Sequence, residues 1–67
     1  MKIILNNRAE EFPEEQMTIN ELIEKKNFTF KMLVTKQNNV LVKKDDRDSA
    51  IVKDDDTIDI IHLISGG

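Results

Sequence analysis

The chain has 67 residues, of which 39% are hydrophobic and 34% charged, with a formal net charge of −3. This length allows one small domain, and this balance is typical of a globular protein, not of a disordered segment. The negative charge argues against a nucleic-acid partner, and the absence of cysteine excludes disulfides and a thiol nucleophile. Residues 1–7 are too polar for a signal peptide or a spanning helix, so we expect a cytoplasmic protein without a membrane partner.

The N-terminal residues have the pattern of a β-hairpin. Residues 2–5, KIIL, form a short apolar run, and residues 6–8, NNR, tolerate left-handed turn conformations before the extended pattern resumes. Pro13 has no backbone N–H to donate to a sheet, so the second strand is predicted to end near Phe12.

Residues 18–26, TINELIEKK, predict a helix. Thr18 is the expected N-cap, with Glu21 three residues later in the capping-box position, and Asn27 suits the left-handed conformation that ends a helix. Three apolar residues fall on one helical face, namely Ile19, Leu22 and Ile23.

The second half of the chain is rich in β-forming residues. Residues 30–36 and 39–42 predict a second hairpin or a tight link around Gln37-Asn38, and residues 43–50 are interpreted as a surface loop with room for one helical turn. Residues 57–64 predict a final strand that is buried centrally, at least in its second half. Three apolar residues at strand spacing are expected in the core: Phe28, Phe30 and Met32.

This order predicts an α+β fold with one helix across one face of a mixed sheet of four to five strands. The last strand is the least polar and should lie in the middle of the sheet. We therefore expect a single domain over residues 1–64 and a flexible tail over residues 65–67.

The last two residues, Gly66 and Gly67, are the only glycines in the sequence. Glycine adds no side chain to a core. A terminal pair therefore either arises by chance or truncation, or has a steric role: it enters a narrow channel in another protein, where any Cβ would clash. A carboxylate at Gly67 would be ionised at neutral pH and could attack the α-phosphate of ATP to give an acyl-adenylate.

The whole chain resembles the ThiS/MoaD superfamily of β-grasp, ubiquitin-like proteins, and within it the ThiS family of sulfur carriers of thiamine biosynthesis. The resemblance lies in the element order, LVKKDD before the loop, an acidic triplet before the last strand and IIHLISGG at the end. It implies that Gly67 is adenylated and converted to a thiocarboxylate, that Ser65, Gly66 and Gly67 enter a partner's channel, and that sulfur passes to a thiazole.

The resemblance also implies the partners. They are a ThiF-like adenylating enzyme that uses ATP and magnesium, a ThiG-like thiazole synthase, and a sulfur donor such as a cysteine desulfurase. The chain itself is expected to bind no cofactor or metal and to be a co-substrate, not an enzyme. Four positions depart from the family pattern, where glycine, apolar or aromatic residues are usual: Gln37, Asn39, Arg47 and Asp55.

Several features have an ordinary interpretation. His62 is the only histidine in the sequence and is interpreted as structural or as a surface residue. Asp54–Asp56 are interpreted as a solvated turn in preference to a magnesium site. The glutamates of residues 10–15 are interpreted as a solvated face, with a patch that steers a basic partner as the less favoured alternative. Leu63 and Ile64 could pack in the core, or one of them could stay exposed and dock on a partner.

Three alternatives to the thiamine carrier follow from the sequence. Two lie within the superfamily: a sulfur carrier similar to the small subunit of molybdopterin synthase, and a ubiquitin-like modifier joined to lysines of target proteins. The third is a non-catalytic interaction module whose tail has no chemistry.

Overall fold

The computed structural model describes residues 1–29 and 32–63. The elements in chain order are β1 (Lys2–Leu5), β2 (Arg8–Glu11), β3 (Gln16–Thr18), α1 (Ile19–Lys25), β4 (Leu33–Gln37), β5 (Val40–Val42), a 3₁₀ turn (Lys44–Asp46), β6 (Ile51–Lys53) and β7 (Thr57–His62). None of the helices in these two ranges is long and apolar enough to cross a membrane.

Five strands form one mixed sheet in the order β2-β1-β7-β4-β5. β7 is its central strand, parallel to β1 and antiparallel to β4, and the two hairpins β1–β2 and β4–β5 flank it. The predicted α+β fold, the mixed sheet of five strands and the central position of the last strand are confirmed.

The helix begins and ends where its local signals predict. The Thr18 hydroxyl accepts a hydrogen bond from Glu21 N–H at 3.0 Å, and the Glu21 carboxylate accepts one from Thr18 N–H at 2.8 Å, which completes the capping box. After the helix, Asn27 takes a positive φ of 58°.

The core lies between this helix and one face of the sheet. Its buried apolar residues come from β1, β3, α1, β6 and β7: Ile3, Leu5, Met17, Ile19, Leu22, Val52, Ile58 and Ile60. Because side chains alternate along a strand, Asp59 and Ile61 of β7 face the opposite side of the sheet. That side carries no described helix.

A second, two-stranded sheet was not predicted. β3 and β6 pair antiparallel, with Met17 opposite Val52, and both of these side chains are buried in the core. Each strand has only three residues, too few for a period of two to be read from the sequence.

Two predictions about burial are wrong. Met32 is 51% exposed and does not belong to the core. Phe28 is partly buried and packs against the core, in agreement with the prediction, while Phe30 lies outside the described residues. The second half of β7 is not buried centrally either, because Ile61 is 45% exposed on the face without a helix.

Candidate functional site

The candidate site is the end of β7 and the residues that follow it. β7 pairs with β4 from Ile58, opposite Gln37, to His62, opposite Leu33. The pairing continues for one more residue, since Leu63 N–H donates to Met32 O at 3.0 Å. The backbone is therefore held by the sheet as far as Leu63. Ile64, Ser65, Gly66 and Gly67, on which the chemical predictions rest, lie outside the described residues.

The other edge of β7 is held by the turn after β1. Asn6 N–H donates to Ile58 O at 2.9 Å, and Asn6 Oδ1 accepts a hydrogen bond from Ile60 N–H at 2.8 Å. β1 itself ends at Leu5, opposite Ile58. The amide side chain thus extends the pairing of β7 by two residues toward the C-terminal end.

An apolar patch, the open-face patch, covers the same end of the sheet. It consists of Met32, Val34, Ile61 and Leu63. Val34 lies directly opposite Ile61, and Met32 lies opposite Leu63, so the four share the face away from the helix. Leu63 is 44% exposed, which agrees with the exposed alternative for this residue. Its docking role stays a prediction.

His62 is exposed at the end of β7. Within residues 1–29 and 32–63, no group of three or more histidine, aspartate or glutamate side chains could hold a metal ion. The Asp54–Asp56 segment forms the turn between β6 and β7, where Asp55 has a φ of 72°.

Two glutamates of residues 10–15 contact the helix. Glu10 forms an ion pair with Lys26 at 2.6 Å, and Glu14 pairs with Lys25. The hydrogen bond from Lys25 lowers the pKa of Glu14. The prediction that these glutamates form a solvated face is therefore incomplete, because Glu10 and Glu14 also link β2 and the segment that follows it to the C-terminal end of the helix.

The four departures from the family pattern each have a structural explanation. Asn39 and Asp55 adopt φ values of 68° and 72°, a conformation that asparagine and aspartate tolerate better than other non-glycine residues. Gln37 donates to Ile51 O at 2.7 Å and to the Asp56 carboxylate at 3.0 Å. Arg47 is buried and bonds to β4, so polar contacts replace the apolar ones expected at both positions.

Sequence reasoning missed Asn6 and Arg47 as supports of this end of the sheet. The sequence indicates only a turn at Asn6, and the hydrogen bond of its side chain to a residue 54 positions later leaves no local signal. At Arg47 the sequence shows only a departure from the family pattern in a loop.

A mixed five-stranded sheet with one helix across a single face, and a central strand that leads to the C-terminal segment, defines a β-grasp, ubiquitin-like protein. The model of the ThiS family matches residues 3–67, and the chain belongs to this family. None of the curated proteins matches the sequence.

Two solved structures have the same fold. The crystal structure of the thiamine biosynthesis protein (ThiS) from Geobacter metallireducens superimposes with a TM-score of 0.89 at 19% identity, with 100% of both chains covered. The solution structure of a thiamine biosynthesis protein from Geobacter metallireducens gives a TM-score of 0.78 at 18% identity and covers 100% of this chain and 88% of the other. At these identities the likeness concerns the fold alone.

Proposed function

We propose that this protein is a sulfur carrier of thiamine biosynthesis and that its working group is the carboxylate of Gly67. The observation that carries the proposal is the placement of the only two glycines, Gly66 and Gly67, four to five residues after the central strand of the sheet. Membership of the ThiS family supports the same function.

The proposed chemistry has two steps. A carboxylate oxygen of Gly67 attacks the α-phosphorus of ATP, pyrophosphate leaves, and a glycyl-adenylate forms. A sulfur nucleophile at the oxidation level of sulfide then attacks the acyl carbon, and AMP leaves with the original oxygen. The product is a thiocarboxylate on Gly67, which donates its sulfur to thiazole synthesis. An oxygen atom from water or from a carbonyl group of the sulfur acceptor takes the place of the sulfur, and the carboxylate of Gly67 is restored.

The partners supply the catalytic groups. A ThiF-like enzyme would bind ATP and magnesium, and a ThiG-like thiazole synthase would accept the sulfur. A sulfur donor such as a cysteine desulfurase would provide the sulfur as a persulfide, which a thiol reductant brings to the oxidation level of sulfide. In this scheme the chain binds no cofactor and is a co-substrate. Its own contribution is to hold and present the segment that reacts.

The sheet is suited to presenting that segment. β7 is paired on both sides through Ile60 and to β4 as far as Leu63, so the segment leaves from a fixed point. Four residues follow Leu63, and an extended chain of four residues spans at most about 14 Å. A partner that reaches Gly67 must therefore also lie close to the end of β7.

The open-face patch lies at that point and is suited to dock such a partner. Ile61 and Leu63 are each almost half exposed, next to the exposed Met32. Burial of exposed aliphatic side chains is a common source of affinity in protein interfaces. Ser65, Gly66 and Gly67 would then enter a narrow channel, where glycine avoids a clash of Cβ with the walls.

The test is to incubate the purified protein with its adenylating partner, magnesium, ATP and a sulfide source, and to measure the intact mass. We expect an increase equal to the difference between sulfur and oxygen, located on Gly67 by fragmentation. The variant that lacks Gly67 should show no increase but unfold at the same urea concentration, since the deletion leaves every described strand and the helix unchanged. An unmodified wild-type chain in an otherwise active system would contradict the proposal.

Three further measurements separate the alternatives. Sulfur transfer to a molybdopterin precursor instead of a thiazole would favour the molybdopterin branch, and conjugates with an isopeptide bond between Gly67 and a lysine would favour a protein modifier. If Gly66→Ala and Gly67→Ala variants keep the full cellular role, the protein is an interaction module without tail chemistry.

A further inference from the structure

Arg47 is a buried cation that has no anionic partner among the described residues. It follows the 3₁₀ turn between β5 and β6 and is only 9% exposed. Among residues 1–29 and 32–63, no carboxylate forms an ion pair with it. Burial of an unpaired charge is unfavourable, so the hydrogen bonds of its guanidinium have to offset the loss of solvation.

Those hydrogen bonds go to the beginning of β4. Nη2 donates to Leu33 O at 2.7 Å, and Nε donates to Thr35 Oγ1 at 3.1 Å. The Thr35 hydroxyl donates in turn to Val42 O, the last residue of β5, at 2.7 Å. The guanidinium therefore joins β4 to the end of β5 through one fully buried threonine.

The carbonyl of Leu33 needs such a donor because β5 is too short to provide one. β5 ends at Val42, which lies opposite Thr35. β4 starts two residues earlier in the sequence, at Leu33, so β5 does not extend as far as Leu33. Successive carbonyls of a strand point to opposite edges, and Met32 O accepts from Leu63 on the β7 side. Leu33 O thus lies on the edge that β5 has left, and Arg47 occupies the position of the missing strand.

The backbone of Arg47 is fixed as well. Its carbonyl accepts a hydrogen bond from Asn20 N–H in the first turn of the helix at 3.3 Å, and its N–H donates to Lys44 O at 3.3 Å. The side chain is consequently anchored on the helix at one end and on β4 at the other.

Leu33, the residue that the guanidinium holds, is the register partner of His62 at the end of β7. We propose that Arg47 is a positioning residue: by fixing the first residues of β4, it fixes the point at which the C-terminal segment leaves the sheet. The consequence for sulfur transfer rests on the proposed function, whereas the effect on the end of β7 does not.

The first test is amide hydrogen exchange, measured residue by residue by NMR. In an Arg47→Met variant, the Leu63 amide, which is bonded to Met32 O, should exchange at least tenfold faster relative to the Asp59 amide in the same strand. The Val52→Ala variant is the matched control, since it removes buried volume in β6, which pairs with β3, and leaves the hydrogen bonds to Leu33 and Thr35 in place. It should accelerate both amides by a similar factor. Equal acceleration of both amides in Arg47→Met would overturn the proposal.

Two further variants guard against a general loss of structure. Arg47→Lys keeps the charge but cannot donate from two nitrogens in the fork that reaches Leu33 and Thr35, so we expect an intermediate change. Thr35→Val removes one link and leaves the Leu33 contact in place, so Leu63 exchange should rise less than in Arg47→Met. If Arg47→Met does not fold, the Arg47→Lys variant provides the test. A ratio of the Leu63 to the Asp59 amide exchange rate that is unchanged from wild type would then contradict the proposal.

The second test uses the adenylating partner. Arg47 lies on the helix side of the sheet, away from the open-face patch, so its loss should lower kcat for adenylation severalfold with little change in KM. Val52→Ala should leave kcat unchanged. An unchanged kcat in Arg47→Met would remove the functional half of the proposal. If the wild-type chain is not adenylated at all, the proposed function fails, and the exchange ratios still decide whether Arg47 fixes the end of β7.

Discussion

Asn6 and Ile60, 54 positions apart in the sequence, are joined by a hydrogen bond of 2.8 Å from the Ile60 N–H to the Asn6 side-chain oxygen. Asn6 adopts a φ of 50°, in the turn where β1 leaves the sheet. Asn6 therefore closes the first hairpin. Its side chain also supplies a hydrogen-bond acceptor to β7 at a point beyond the end of β1.

Replacement of Asn6 by alanine should therefore lower the free energy of unfolding by more than the loss of the favoured turn conformation alone. Asn7 is the control, because its φ is 68° and its side chain makes no hydrogen bond among the described residues. We expect Asn6→Ala to lower the free energy of unfolding by about 1–2 kcal/mol more than Asn7→Ala, because the Ile60 N–H loses its acceptor. Asn6→Asp keeps both the acceptor and the conformation and should stay near wild type. Urea denaturation measures all three, and equal losses in the two alanine variants would contradict this role.

Asn39, at a φ of 68° in the β4–β5 turn, is predicted to favour glycine over alanine. Alanine resists the left-handed conformation and glycine does not, so Asn39→Gly should exceed Asn39→Ala in stability by about 1 kcal/mol. Lys43, with a φ of −68°, provides the control, because glycine there should be less stable than alanine. Thermal and urea unfolding of the four variants would show whether the order reverses between the two sites.

Asp56 is predicted to contribute to the acid sensitivity of the fold. Burial alone would raise the pKa of its carboxyl, but hydrogen bonds from Lys53 N–H, Asn38 and Gln37 outweigh burial and lower the pKa below its ordinary value of 3.8. A carboxyl with a lowered folded pKa stabilises the fold above its unfolded pKa, and this stability is lost as the pH falls through the folded pKa.

The variant Asp56→Asn should consequently be less stable than wild type at pH 6, and the difference should shrink as the pH is lowered below about 4. Asp55→Asn is the matched control, since it removes a neighbouring charge that is exposed and keeps a residue tolerant of positive φ. Urea midpoints from pH 2 to pH 7 provide the measurement. A constant difference across this range would show that the Asp56 charge is not involved.

The open-face patch makes a separate prediction about partner binding. Ile61→Ser and Leu63→Ser should change the free energy of unfolding by less than about 1 kcal/mol, because both side chains are substantially exposed. Both should raise KM for the adenylating enzyme severalfold through the loss of apolar contact. Leu41→Ser, on the exposed edge strand β5 and opposite Lys36, should leave KM unchanged. An equal effect of all three would indicate a diffuse apolar contact and not a specific patch.

The parts of the fold that follow from short-range signals were predictable. Thr18 and Glu21 are three residues apart and predict the start of the helix, and the Asn6-Asn7 pair predicts the turn of the first hairpin. The contact between β3 and β6 has no such signal, because it joins three-residue strands more than 30 positions apart.

The exposure of Met32 could not be predicted for a different reason. Apolar residues at strand spacing identify one side of a strand, but they do not say which side the helix covers. Arg47 shows the same limit: the sequence identifies an unusual polar residue, and only the end of β5 at Val42 shows why a donor is required at that place.

The position of β7 also has a consequence for synthesis of the chain. The strand at the centre of the sheet is the last described strand to leave the ribosome, so β1–β2 and β4–β5 can form only as separate hairpins until Thr57–His62 has emerged. Isolated hairpins are marginally stable at best, so the sheet can be completed only after β7 has emerged. Chains in which β7 has not yet paired would lack the finished open-face patch, and a partner that requires this patch would not bind them.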